Sequence, residues 1–116
     1  MSMIEELKAL GVNTDEGIAR CVNNAALYEK MVKRFVDSAE RTKVMEFLET
    51  DDLETAKANA HNLKGVTGNL SLTPLYDGYS EIMTLLRNDD PVQAKQKLAD
   101  LLPVQEQIVA CIQKYV

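Results

Sequence analysis

The most informative stretch of the chain is residues 53–70, which read LETAKANAHNLKGVTGNL. Small and apolar side chains recur in it at spacings of three and four residues, which is typical of the core-facing stripe of an amphipathic helix. The stripe consists of Leu53, Ala56, Ala60, Leu63, Thr67 and Leu70, with Thr67 as its polar member. His61, the single histidine of the chain, projects roughly 130° from the centre of this stripe when each residue advances about 100°. The imidazole is therefore predicted to be exposed.

Two glycines follow the histidine within the same predicted helix. Gly65 and Gly68 lie within roughly 40° of His61 on the helical wheel. Each glycine in a helix interior costs about 1 kcal/mol relative to alanine, so the pair needs a reason. The close approach of another surface to the imidazole would supply one. Tight helix–helix packing is the alternative for Gly68, but its direction away from the apolar stripe weighs against packing.

Two lysines stand one turn to either side of the histidine, Lys57 before it and Lys64 after it. Cationic groups around an exposed imidazole suit an anion that arrives at a ring nitrogen. Lys64 is therefore predicted to belong to an anion site centred on His61. Lys57 is equally consistent with an attractor of the anion and with an ordinary solvated lysine.

The residues around the histidine resemble a known motif. Residues 60–65 read Ala-His-Asn-Leu-Lys-Gly, and Gly68 follows the histidine by seven positions. This is similar to the Ala-His-x-Leu-Lys-Gly motif of histidine phosphotransfer (HPt) domains, small helical carriers of two-component phosphorelays, which have a small residue at that later position. Many members carry glycine ten residues after the histidine, where this chain has Ser71. A second stretch that looks like the family contains Gly11-Val12-Asn13, Ile18-Ala19-Arg20, Asn24, Leu27-Tyr28 and Phe35.

The resemblance implies that His61 is a phosphorylated histidine. Its Nε2 would accept a phosphoryl group from the phosphoaspartate of a receiver domain, and the group would pass to another receiver aspartate. Lys64 would offset charge on the phosphoryl oxygens, and Gly65 and Gly68 would form part of the docking surface. The expected partners are receiver domains of response regulators, with a hybrid sensor histidine kinase as a further candidate. Glu81, on the next predicted helix, is a candidate acceptor for the other ring nitrogen.

No cofactor is expected for this chain. It has neither the phosphate-binding loop of nucleotide hydrolases nor a kinase-type glycine loop, so ATP-dependent catalysis is not predicted. In the implied reaction, Mg²⁺ and the aspartate chemistry belong to the receiver. The single histidine has no carboxylates at ligand spacing around it, which disfavours a metal site. The chain is therefore predicted to be a carrier and substrate rather than an enzyme.

Composition indicates one soluble domain. The chain has 116 residues, 46% of them hydrophobic and 27% charged, and residues 1–116 are predicted to form a single domain. Its net charge of −5 disfavours binding to nucleic acid or to anionic membranes, and no apolar run approaches the roughly 18 residues of a membrane span. The chain has two cysteines, Cys21 and Cys111, which are far apart in sequence, and this favours a reduced, cytoplasmic location. Met1 and the lack of a linker-like stretch favour a free-standing carrier.

Helix start signals recur along the chain and divide it into helices. In order, they are Ser2-x-x-Glu5, Asn13-x-x-Glu16, Asn24, Asp51 or Asp52, Thr73-Pro74 and Asp90-Pro91. The long helix after Asn24 is predicted to break near Arg41, and Pro103 is predicted to kink the last helix. Strand-like alternation is nowhere sustained. Short connections between amphipathic helices predict an all-α fold, an up-down antiparallel four-helix bundle with one or two short N-terminal helices.

Two further functions were weighed against phosphotransfer. A protein–protein interaction bundle without phosphotransfer would keep the same helix faces but would tolerate the loss of His61. A hydrolase with a Ser-His-Asp arrangement is disfavoured, because the chain contains no Gly-x-Ser-x-Gly elbow and predicted helices lack the strand–turn–helix context of that elbow.

Overall fold

Seven α-helices make up the described part of the chain, which in this computed structural model is residues 2–115 without the side chain of Glu40. They are α1 (Met3–Ala9), α2 (Thr14–Arg20), α3 (Ala25–Val36), α4 (Ala39–Glu46), α5 (Leu53–Asn69), α6 (Thr73–Arg87) and α7 (Pro91–Gln113), with a 3₁₀ turn at Phe47–Glu49. Residues 2–115 contain no β-strand, so the predicted all-α class is confirmed. None of the helices in this range is both long and apolar enough to cross a membrane. Met1 and Val116, the ends of the predicted 1–116 domain, lie outside the described residues.

Polar side chains begin most of these helices where the sequence predicts them. In five cases a side-chain oxygen accepts a hydrogen bond from the backbone N–H three residues later, which satisfies a donor of the first turn. The five capping residues are Ser2, Asn13, Asn24, Asp52 and Asp90. The predicted capping box between Ser2 and Glu5 is complete. In the capping box predicted at Asn13, the Asn13 side chain accepts a hydrogen bond from the Glu16 N–H. The return bond to the Asn13 N–H is not formed, because the Glu16 carboxylate accepts a hydrogen bond from Ser71 instead.

Two predicted helix boundaries are wrong. α6 begins at Thr73, and Leu72 takes the cap position without a side-chain hydrogen bond, so Thr73 is helical rather than the cap. The long helix predicted after Asn24 breaks at Ser38 rather than near Arg41, because the Ser38 hydroxyl accepts a hydrogen bond from the Arg41 N–H and starts α4. α7 continues through Pro103, and the kink there stays a prediction.

The buried face of α5 matches the predicted stripe. Its buried members are Ala56, Ala60, Leu63, Thr67 and Leu70, and Leu53 is half-buried. The Thr67 hydroxyl donates to the Leu63 carbonyl at 2.7 Å, so the polar member of the stripe is satisfied within its own helix. Asn59 is also buried, a polar position beside the stripe that the sequence did not single out. The orientation of α5 is therefore the predicted one.

The longer helices pack against their neighbours in the chain. α5 lies between α4 and α6, α6 lies between α5 and α7, and α7 also contacts α3 and α1. α6 and α7 run antiparallel, so that Lys97 Nζ lies 2.8 Å from Glu81 Oε2 across them. Deeper between the two helices, the Tyr79 hydroxyl donates to Gln105 Oε1 at 2.5 Å. Burial raises the pKa of Tyr79, which keeps this hydroxyl protonated as a donor.

α2 is held at the C-terminal end of α5. The Tyr28 hydroxyl of α3 donates to the Leu70 carbonyl at 2.7 Å, and the Asn13 N–H donates to the Ser71 carbonyl at 3.0 Å. Gly17 lets the Tyr28 ring lie directly against α2, because a Cβ at this position would overlap the ring. These contacts place the short α2 beside the helix that carries the histidine.

Candidate functional site

His61 lies near the middle of α5 and its side chain is exposed, as the helical wheel predicts. Among the described side chains and backbone groups, none forms a hydrogen bond or an ion pair with the imidazole. Glu81, the candidate acceptor for a ring nitrogen, is instead paired with Lys97 of α7. The histidine thus presents its ring to solvent from within a helix.

An open cleft of about 650 Å³ extends from His61 toward the C-terminal end of α5. The floor of the cleft is α5, one wall is α2, and the other wall is the start of α6. The floor includes His61, Lys64, Gly65 and Gly68. All four residues that the sequence assigned to the site therefore lie on one concave surface.

The cleft distinguishes the two lysines that flank the histidine in sequence. Lys64 is half-buried and lines the cleft together with His61, whereas Lys57 is not part of the lining. No ion pair in the described part of the chain involves the Lys64 ammonium. A cation in a concave surface raises the local concentration of anions more than one on a convex surface. Lys64 is therefore the better placed of the two to meet an anion at His61.

The two glycines of the floor differ in what lies above them. A Cβ at Gly65 would meet no heavy atom within 4 Å, so the space beside His61 is open there, as the sequence predicts. A Cβ at Gly68 would lie 2.9 and 3.0 Å from two carbons of the Tyr76 ring. Tyr76 is 38% exposed and covers Gly68 from the α6 wall. Gly68 therefore leaves room for an aromatic ring of the same chain. The direction of Gly68 on the helical wheel disfavours such internal packing, and that prediction is wrong.

The α2 wall carries a polar cluster of three side chains. The Ser71 hydroxyl, at the end of α5, donates to Glu16 Oε1 at 2.7 Å. The same carboxylate oxygen lies 3.3 Å from Nη2 of Arg20, one turn further along α2. Both Glu16 and Arg20 are about half exposed and line the cleft. The wall thus ends in a guanidinium that, among the side chains the structure describes, pairs with Glu16 alone.

Ser71 has a backbone conformation that favours glycine. Its φ is +54°, in the left-handed region that glycine enters freely. A residue with a side chain pays about 1 kcal/mol or more to adopt this conformation. Ser71 is nevertheless almost fully buried and makes the hydrogen bond to Glu16. The hydroxyl offsets part of the backbone strain by linking α5 to α2.

Sequence reasoning missed the walls of the cleft. Glu16 was interpreted only as part of a capping box, Arg20 only as part of a family likeness, and Tyr76 and Asp77 of the α6 wall not at all. Glu16 and Ser71 are 55 residues apart in the chain, and no local periodicity connects them.

The arrangement can present a nucleophilic nitrogen to an anion. An exposed imidazole, an ammonium one turn away and open space above Gly65 allow a phosphoryl or carboxylate group to approach the ring. Across the described residues there is no group of three or more His, Cys, Asp or Glu side chains arranged to hold a metal ion. The chemistry that the cleft offers is therefore that of the imidazole and its neighbouring cations.

Comparisons of the chain with models of protein families, with curated proteins and with solved structures gave no match.

Proposed function

We propose that this chain is a histidine-containing phosphotransfer protein of a two-component phosphorelay. It accepts a phosphoryl group on His61 from the phosphoaspartate of one receiver domain and passes it to the aspartate of another. The observation that carries the proposal is the joint placement of His61, Lys64 and Gly65 in an open cleft, with the residue types and spacing of the HPt motif.

The proposed step is an in-line displacement at phosphorus. The lone pair of neutral His61 Nε2 forms the N–P bond while the P–O bond to the receiver aspartate breaks, and the aspartate leaves as a carboxylate. Lys64 offsets negative charge on the three phosphoryl oxygens during the displacement. Transfer to the second receiver is the reverse of this step. Mg²⁺ is held by the receiver, and this chain acts as substrate and carrier without binding ATP.

We further propose that the helices form an up-down antiparallel four-helix bundle. Its members are α3 with α4, then α5, α6 and α7, while α1 and α2 cover one end. The antiparallel pairing of α6 with α7 and the short connections support this arrangement. The cysteines Cys21 and Cys111 are free thiols, which suits the cytoplasm, the compartment in which receiver domains are expected.

The phosphorylated residue is tested with receiver domains encoded by the same genome, each phosphorylated with acetyl phosphate. At least one should transfer label to the wild-type chain, and the label should be lost in acid and stable in base, as expected of a phosphoramidate. His61→Gln should take up no label. Normal labelling of His61→Gln would overturn the proposal. A wild-type chain that binds receivers but is never labelled would favour the interaction module without phosphotransfer.

Lys57 and Lys64 provide a matched pair for the role of charge. Lys64→Ala should slow transfer about tenfold at saturating receiver, because it removes a cation next to the developing charge. Lys57→Ala should leave the rate within about twofold, because Lys57 lies outside the cleft lining. Single-turnover rates of the two variants, measured with the same receiver, decide the matter. Equal transfer rates for the two variants would mean that Lys64 has no specific role in phosphoryl transfer.

A further inference from the structure

The α2 wall holds a cation that the proposed phosphoryl chemistry does not use. Arg20 lines the cleft, and its side chain is 51% exposed. Its ion pair is a single contact, Nη2 to Glu16 Oε1 at 3.3 Å, so most of the five N–H donors of the guanidinium remain available. Arg20 is carried by α2, whereas His61 and Lys64 are carried by α5. The two helices thus bring separate cations to one cleft.

Ser71 fixes the position of the carboxylate that holds Arg20. Its hydroxyl donates to the same Glu16 oxygen that contacts the guanidinium, and Ser71 is 3% exposed. The Ser71 carbonyl separately accepts from the Asn13 N–H at the start of α2. The backbone bond holds α2 in place, and the side-chain bond holds Glu16. Removal of the hydroxyl should therefore free Glu16 without releasing the helix.

We propose that Ser71, Glu16 and Arg20 form a positioning chain, in which Arg20 binds a carboxylate of the docking receiver domain and thereby selects among receivers. The identity of the partner rests on the function proposed above. Ser71 and Glu16 act through Arg20, and Arg20 acts on docking rather than on the reacting phosphorus. Lys64 and Arg20 then have different effects on the kinetics of transfer.

The ligand of Arg20 is a carboxylate for three reasons. A guanidinium with free donors matches the two oxygens of a carboxylate in a bidentate pair. Glu16, its present partner, is shared with Ser71 and leaves the outer donors unfilled. Asp77, on the α6 wall, has no cationic partner among the lining residues of that wall, whereas on the α2 wall the Arg20 guanidinium offsets the charge of Glu16. An acidic group of a partner is therefore repelled less at the α2 wall than at the α6 wall.

The test compares receiver-dependent phosphorylation with phosphorylation by potassium phosphoramidate. In the second reaction His61 attacks phosphorus, the P–N bond of phosphoramidate breaks and ammonia leaves, so no docking surface is needed. Arg20→Ala should raise the KM for the receiver about three- to tenfold with kcat unchanged. Its rate with phosphoramidate should equal that of the wild type. Arg20→Lys should restore the KM only in part, because lysine cannot form the bidentate pair.

Arg87 supplies a matched control, since it is an exposed arginine in the last turn of α6, outside the cleft. Arg87→Ala should leave both reactions unchanged. If it raises the KM as much as Arg20→Ala does, the effect is one of net charge and the proposal fails. Increasing salt should weaken the wild type's docking more than that of Arg20→Ala, because the exposed contact is screened.

Ser71→Gly tests the positioning chain without straining the fold. Glycine adopts the φ of +54° freely, so the melting temperature should hold or rise although a hydrogen bond is lost. The KM should nevertheless rise in the same direction as in Arg20→Ala. In the double variant the KM should equal that of Arg20→Ala alone, because Ser71 acts through Arg20. Additive effects on the KM in the double variant, or an unchanged KM in Ser71→Gly, would contradict the proposed positioning chain.

The two proposals fail in different ways. If the wild-type chain takes no phosphate from any receiver or from phosphoramidate, the phosphotransfer function is wrong and the positioning chain falls with it. If the wild type is phosphorylated but Arg20→Ala keeps its KM and its preference among receivers, only the positioning chain is wrong.

Discussion

Gly65 and Gly68 lie three residues apart on one face of α5, yet their surroundings differ. Open solvent lies above Gly65, next to His61, while the Tyr76 ring lies above Gly68. The two glycines look alike on a helical wheel, since both project away from the apolar stripe. The difference arises because Tyr76, on the α6 wall, reaches over Gly68 and not over Gly65. A glycine on an exposed face can thus serve either a partner's approach or an internal contact.

The cleft has an open part around Gly65 and a covered part around Gly68. Near His61 and Gly65, the floor is open, and the proposed chemistry takes place there. Near Gly68 and Ser71, the chain's own side chains close around the floor from α6 and α2. We expect substitutions in the first part to change the encounter with a receiver at little cost to stability. Substitutions in the second part should disturb the fold of the walls as well.

The largest expected effect is on docking, in Gly65→Leu. The new side chain would fill the open space beside His61, and a misfit at a packed interface of about 1–3 kcal/mol corresponds to a loss of up to about a hundredfold in receiver affinity. The free energy of unfolding should rise by several tenths of a kcal/mol, roughly the difference between leucine and glycine in a helix. Receiver titration and thermal melting on the same sample measure both.

Val66→Leu is the control for this substitution, because Val66 is an exposed position of α5 outside the cleft. It should leave receiver affinity unchanged. Unaltered affinity in Gly65→Leu, or an equal loss in Val66→Leu, would mean that the receiver does not approach over the cleft.

A smaller effect, on stability, should separate the glycines directly. Gly65→Ala should raise the free energy of unfolding by up to about 1 kcal/mol, since alanine is the better helix former and its Cβ meets nothing. Gly68→Ala should gain less or lose stability, because the new Cβ would overlap the Tyr76 ring. In a Tyr76→Ala background the two alanine substitutions should have similar effects. Urea denaturation of the wild type, Tyr76→Ala and each alanine variant in both backgrounds tests this. Equal gains for the two alanine substitutions in the wild-type background would contradict the packing of Tyr76 over Gly68.

The smallest effect is expected for the histidine itself. His61→Gln should change the free energy of unfolding by less than about 0.5 kcal/mol, because an exposed helical side chain without partners contributes little. The far-ultraviolet circular dichroism should stay that of a mainly helical protein. A loss of several degrees in melting temperature would show that the imidazole is packed, as Tyr76 is, and that the open part of the cleft does not include His61.

Much of the candidate site could be predicted because it lies on one helix. His61, Lys64, Gly65 and Gly68 fall within one face by their spacing alone, and the period of 3.6 residues fixes which side chains reach solvent. The caps at Asn13, Asn24, Asp52 and Asp90 were predictable for the same reason, since a capping side chain and its N–H are three residues apart. Local geometry is encoded locally, so the sequence is sufficient there.

Two of the errors occurred where a residue on another element competes with a local pattern. Glu16 has the spacing of a capping box with Asn13, but its carboxylate is taken by Ser71, 55 residues away. Gly68 has the direction of a docking glycine, but a ring from the next helix covers it. The spacing of Glu16 and the direction of Gly68 are both as the sequence indicates. The contact that each residue makes depends on which other group lies within hydrogen-bonding or van der Waals distance.

By itself, the sequence determined the helical class, the solvent-facing direction of His61 and the residues on its face, because helix periodicity follows from backbone geometry. Only the tertiary structure decided that α2 and α6 form walls around that face, that Tyr76 covers Gly68, and that Ser71 ties Glu16 and Arg20 to the end of α5. The physical reason is that these contacts join residues on different helices. Their distances are set by how the buried faces pack, and that packing is a property of the whole core rather than of any one stretch of chain.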